Sequence, residues 1–119
     1  MKTIEAKIVD GEPVWQPDNI SALVGDEVEW KLTSGRHGVR ITNWAVVKDH
    51  VEVETVQGQQ PFNATAGEND HSTNTVGQVL LRLKIKSVPP APGSITFECI
   101  VHGSMMSGEV SVVAASPGA

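Results

Sequence analysis

Apolar and polar residues alternate along most of the chain with a period of two. Ile4, Ala6 and Ile8 are separated by polar neighbours, and Val28, Trp30 and Leu32 alternate with Glu29 and Lys31. Successive side chains of a strand face opposite sides of a sheet, so this spacing predicts strands with one buried face. Ile20-Ser21-Ala22-Leu23-Val24 runs into Gly25-Asp26 ahead of Val28, which reads as strand, tight turn, strand. A further run over 38–42 follows the turn signal Thr33-Ser34-Gly35-Arg36. Val51, Val53 and Thr55 alternate with Glu52 and Glu54, and Leu81, Leu83 and Ile85 share one parity within 79–85. The last two strands are expected over 94–100 and 109–113. Pro89-Pro90-Ala91-Pro92-Gly93 reads as a loop, because prolines there remove donors a strand would need. No helical stripe of useful length interrupts the pattern. About seven or eight short strands with turn punctuation predict an all-β fold, a two-sheet Greek-key β-sandwich or barrel.

The segment 57–78 breaks the alternation. It is rich in Gln, Asn, Thr and Gly, with Val76 almost its only aliphatic residue. A loop this long is uncommon in a compact domain and is expected to be functional or mobile. The organisation expected is one domain over 1–113, followed by a flexible Ala/Ser/Pro/Gly tail over 114–119.

At 119 residues the chain suits one domain, which can bury roughly two thirds of its unfolded surface. Lys and Arg number 9 against 14 Asp and Glu, a net charge of −5. That acidic balance argues against nucleic-acid binding, for which a basic face is expected. No apolar run approaches the ~18 residues of a membrane span. Met1-Lys2-Thr3-Ile4 has no apolar signal core, so either the protein stays in the cytosol or a targeting peptide has been removed. One cysteine excludes an intrachain disulfide and any CxxC site built by a single chain.

That cysteine opens the segment Cys99-Ile100-Val101-His102-Gly103-Ser104-Met105-Met106. Thiolate, imidazole and thioether so close together, where a strand runs into a loop, form a soft mixed donor set. Such a set suits copper: sulfur ligands favour Cu(I), while imidazole serves both oxidation states. A trigonal His₂Cys plane with a weak axial Met needs a second histidine. His37, at the start of the 38–42 run, is the best candidate. His50 and His71 are expected at the surface. His71 follows Glu68, Asn69 and Asp70, which leaves open a weaker second metal site. Trp15, Trp30 and Trp44 read as core, Arg36 as a solvated turn cation, and Glu52 and Glu54 as a strand face able to meet a basic partner.

Several motifs resemble those of the cupredoxins, the small type 1 blue copper proteins of the plastocyanin, pseudoazurin and amicyanin kind. Val24-Gly25-Asp26-Glu27-Val28-Glu29-Trp30 is similar to the family's VGDxVxW hairpin, after which His37 stands at the first imidazole ligand. Pro92-Gly93-Ser94-Ile95-Thr96-Phe97-Glu98-Cys99 resembles its PGxYxYxC strand. Cys99-x2-His102 with Met106-Ser107-Gly108-Glu109-Val110 resembles the C-x2-H…M-x-G-x-V ligand loop. The match departs in two places. Plastocyanin-like members set four residues between the second His and the Met, and amicyanin sets two; here three precede Met106 and two precede Met105. The spacing to Gly108-x-Val110 favours Met106, with Met105 the alternative. The family also commonly has Asn after the first His, tying the ligand loops together, where this chain has Gly38. His37-Gly38 and Thr42-Asn43-Trp44 look more like the binuclear copper domains of terminal oxidases and nitrous oxide reductase, but those use two cysteines.

The resemblance implies one type 1 copper ion held by His37, Cys99, His102 and Met106. It implies a monomeric one-electron carrier rather than an enzyme, with no catalytic residues. The implied location is periplasmic or otherwise exported. The implied partner is a redox protein (a cytochrome, oxidase or reductase) docking near His102. Two alternatives stand beside it. One is a copper-handling protein, a chaperone or resistance factor, suggested by the methionine pair. The other is a red or green variant centre with altered axial ligation, suggested by the ligand loop and the 57–78 segment.

Overall fold

In the computed structural model, residues 1–69 and 75–114 are described. Among the described residues, eleven strands form two mixed sheets. The first contains β1 (Lys2–Val9), β2 (Glu12–Gln16), β4 (Glu27–Leu32), β6 (Val51–Glu54) and β9 (Val79–Ile85), in the order β2-β1-β4-β9-β6. The second contains β3 (Asn19–Leu23), β5 (Val39–Ile41), β7 (Phe62–Asn63), β8 (Glu68–Asn69), β10 (Ser94–Cys99) and β11 (Gly103–Val113), in the order β3-β11-β10-β5-β8-β7. Two pairings are parallel, β1 with β4 and β11 with β3, and the others are antiparallel.

The alternation places the core between the sheets. Ile4, Ala6, Val28, Trp30 and Leu32 are buried from the first sheet, facing Ile95, Phe97, Val110 and Val112 of the second. Phe97 sits at the centre, edge-on to Trp15 at 5.4 Å and to Trp30 at 5.3 Å between ring centroids. Each such pair contributes about 0.5–1.5 kcal/mol beyond the area it buries. Ile8 shares parity with Ile4 and Ala6 but stands 39% exposed, because β1 runs past the edge of the core there.

Three features depart from the alternation pattern. First, β3 and β4 do not form a hairpin. The turn at Val24-Gly25-Asp26 carries the chain from one sheet to the other, and each strand takes its parallel partner elsewhere. Second, Leu80 is buried although its parity is opposite to Leu81. Trp30 pairs with Leu81 and Lys31 with Val79, so Leu80 is the extra residue of a β-bulge, and both leucines face inward. Third, the described part of the polar 57–78 segment is not a simple loop. Its β7 and β8 extend the second sheet beside β5, where Arg40 pairs with Glu68. A short α1 (Trp44–Val47) and a 3₁₀ turn (Lys48–His50) connect β5 to β6. Among the described residues no helix is long and apolar enough to cross a membrane.

Candidate metal centre

At one end of the sandwich, β5 and β10 run antiparallel and Cys99 pairs with Val39. The turn carrying His37 therefore lies beside the end of β10, and the chain leaving Cys99 brings His102 back over the same spot. Ile100 N–H donates to the Gly38 carbonyl at 3.2 Å and ties the two ligand-bearing segments directly, backbone to backbone. Gly38 is buried there, so the tie needs no side chain at that position.

The His37 ring is fully buried. Its Nε2 lies 2.8 Å from the carbonyl oxygen of Ser34, which can only accept, so Nε2 carries the proton and Nδ1 the lone pair. Nδ1 stands 3.8 Å from Cys99 Sγ. His102 Nδ1 stands 3.4 Å from the same sulfur, and the two imidazole centroids are 5.2 Å apart. One donor atom from each of His37, Cys99 and His102 lies within 4.8 Å of the other two. Burial pushes the His37 pKa below its ordinary value, and the nearby His102 adds to the fall; the hydrogen bond to Ser34 opposes it. The neutral, ligating form of His37 is thereby favoured. Gly35 makes this ring position possible. Its φ is +83°, and a Cβ there would come within 2.8 Å of both His37 Nε2 and the Ile8 side chain.

The methionines separate cleanly. Glu98 pairs with Ser107 and Cys99 with Gly103, so Ser104, Met105 and Met106 have no counterparts in β10. Met106 is 2% exposed and belongs to the same buried cluster as Cys99, while Met105 is 85% exposed. Past this excursion, Gly108 lets β11 lie flat on the core. A Cβ at Gly108 would overlap the Asp18 carbonyl and the Phe97 ring.

Among the described residues the one other histidine, His50, is not part of this cluster. His50 Nδ1 meets Ser87 Oγ at 2.8 Å. His71 lies outside the described residues, and with it the suggested second metal site. Trp15, Trp30 and Trp44 are core residues, Arg36 is exposed, and Glu52 is exposed with Glu54 partly so.

Two supporting residues carry no signal in the alternation or spacing. Asn69 lies in the polar segment, yet it is only 3% exposed. Its Oδ1 accepts the Val39 N–H at 2.7 Å and its Nδ2 donates to the Leu80 carbonyl at 3.1 Å. It thus fastens the strand after His37 to the bulge in the opposite sheet. Arg40 in β5 bridges Glu68 and Glu98, each at 3.2 Å, and so clamps β8 and β10 on either side of β5.

Among solved structures, the chain is similar to native pseudoazurin from Hyphomicrobium denitrificans, with a TM-score of 0.62 over 93% of this chain and 73% of that one at 16% identity. The chain has the cupredoxin fold. Oxidised plastocyanin from Dryopteris crassirhizoma gives a TM-score of 0.54 at 19% identity, covering 93% of this chain and 99% of that one. A reduced Cu(I) form of amicyanin gives 0.54 at 19% identity, over 93% and 82%. No protein-family model and no curated protein matches the sequence. As a cupredoxin fold, the sandwich carries a His-Cys-His cluster able to hold a metal ion.

Proposed function

We propose that this chain binds one copper ion in a mononuclear type 1 centre and acts as a one-electron carrier between redox partners. The observation that carries this reading is the convergence of His37 Nδ1, His102 Nδ1 and Cys99 Sγ at one end of a cupredoxin sandwich. Two imidazoles and one thiolate would hold the ion, and the buried Met106 would supply a thioether beside them. A single cysteine favours a mononuclear site over a binuclear one. Bound copper would supply the Cu(II)/Cu(I) couple.

The protein's part is to hold its donors still. His37 is fixed by Ser34, its strand by Asn69, and Cys99 by its place in β10. Ligands held by a folded β-framework rearrange little between oxidation states. Burial of His37 and Cys99 keeps water away, whereas the half-buried His102 leaves an edge toward solvent. Exposed Val101 and Met105 flank it in sequence, an apolar rim suited to brief contact with a redox protein. The net charge of −5 favours a basic docking face on that partner. The chain acts as a monomer in an exported compartment and turns over no substrate.

Repeated chemical reduction and reoxidation of the copper-loaded protein tests the carrier role. Full recovery of the oxidised spectrum without copper loss is expected. The exposed Met105 gives the copper-handling alternative its one specific support. Ready loss of Cu(I) to a chelator during such cycles would favour that alternative.

A further inference from the structure

Met105 and Met106 are consecutive, and in extended backbone they face opposite ways. Turning this pair over would bury Met105 and expose Met106. The ladders pin the two ends of the excursion, Gly103 against Cys99 and Ser107 against Glu98, and pairing with β3 begins at Glu109. Between those ends Ser104, Met105 and Met106 have no counterpart in β10, so contacts other than the ladder decide which methionine turns inward.

One side chain does reach them. Trp15, in β2 of the opposite sheet, donates its indole N–H to the Met106 carbonyl at 2.8 Å, in a buried bond spanning 91 positions of sequence. The indole is only 4% exposed and rests edge-on against Phe97, two residues before Cys99. Phe97 is itself held by Trp30. The donor is therefore rigid, and its reach fixes the peptide that follows the Met106 side chain.

We propose that Trp15 is a positioning residue that selects Met106, rather than Met105, as the inward thioether of the metal centre. The inference rests on the copper reading above and extends it to a residue outside the ligand loop. Trp15 contributes no ligand. It holds the Met106 carbonyl, and with it the residue that is buried in the same core as Cys99. The buried carbonyl would otherwise lack this partner, so the bond and the register support each other.

Trp15→Phe keeps the ring against Phe97 and removes only the N–H. In the metal-free variant, amide hydrogen exchange at Ser104, Met105, Met106 and Ser107 is expected to accelerate about tenfold, the equivalent of one lost buried hydrogen bond. Exchange in β4 and β10 should hold. In the copper-loaded variant the thiolate-to-copper band should persist while the electron paramagnetic resonance spectrum changes shape. The double variant Trp15→Phe, Met105→Leu should remove any admixed signal from Met105 ligation. Unchanged exchange and an unchanged resonance spectrum in Trp15→Phe would overturn the inference.

Met106→Leu separates the two layers. If it leaves the copper spectrum unaltered, the axial assignment itself fails. If it alters the spectrum and Trp15→Phe does not, only the role of Trp15 fails. Should Trp15→Phe not fold, the wild-type protein still decides. Exchange of the Trp15 indole proton should slow on Cu(I) loading more than that of Trp44, and equal behaviour of the two would contradict the proposal.

Discussion

The side-chain oxygen of Asn69 accepts the backbone N–H of Val39 at 2.7 Å, two residues beyond His37. The same amide donates to Leu80, whose carbonyl lies at the β-bulge of the other sheet. Asn69→Ala leaves one buried donor and one buried acceptor without these bonds. Each such group costs about 1–3 kcal/mol, so the metal-free protein should lose on the order of 3 kcal/mol in denaturant unfolding. Copper affinity should fall as well, because the strand after His37 loses its anchor. A variant within experimental error of wild type in both measurements would contradict this role.

Gly35→Ala addresses the same ligand from the other side. Its φ of +83° costs a non-glycine residue about 1–3 kcal/mol, and the new methyl would crowd His37 Nε2. Competition with a copper chelator should therefore show weaker binding by about tenfold or more. Equal affinity in the two proteins would show that the turn can move without disturbing the imidazole.

Acid should weaken the metal-free protein through His37. Its folded pKa lies below the ordinary 6.5 because of burial and then His102. The unfolded chain therefore binds the proton more readily. The stabilisation is present above about 6.5 and is lost as pH falls toward the folded value. Metal-free unfolding midpoints measured at steps from pH 7.5 to 5 should decline across this range. His37→Gln should flatten the decline, and an unchanged slope would rule out His37 as its source.

The carboxylate pair on the outer face of the first sheet behaves in the opposite sense. Glu54 is raised above its ordinary value, first by its hydrogen bond with Glu27, then by burial and the like charge of Glu27; Arg82 and Lys84 partly oppose this. A raised carboxylate pKa contributes stability at low pH that is lost as pH rises through the folded value. Glu54→Gln mimics the protonated form. It should raise the melting temperature at pH 7, with the advantage shrinking toward pH 4. A lower melting temperature at pH 7 would be the contrary result.

Much of this fold is legible in the period-two pattern, since Trp30, Leu83 and Phe97 each lie on the buried face of a strand. What the pattern conceals follows from physics that is not local. Residues at Val24-Gly25-Asp26 look like a hairpin turn, yet neighbouring strands decide which sheet each arm joins. Leu80 faces inward because a bulge doubles the buried positions, and a bulge is a matter of pairing rather than composition. His37, Cys99 and His102 are recognisable because soft donors stand at strand ends with ligand spacing. Asn69 and Trp15 are not: an amide in a polar stretch and a tryptophan on an edge strand look ordinary until the sheets are closed. Met106 and Met105 differ by one position in sequence, and burial separates them.

The absorption spectrum of the protein loaded with one equivalent of Cu(II), taken beside that of Cys99→Ser, decides whether Cys99 is a thiolate ligand to copper. An intense visible thiolate-to-copper charge-transfer band is expected in the wild-type protein and none in the variant. A wild-type spectrum without that band, or a Cys99→Ser spectrum that retains it, would contradict the assignment of this centre.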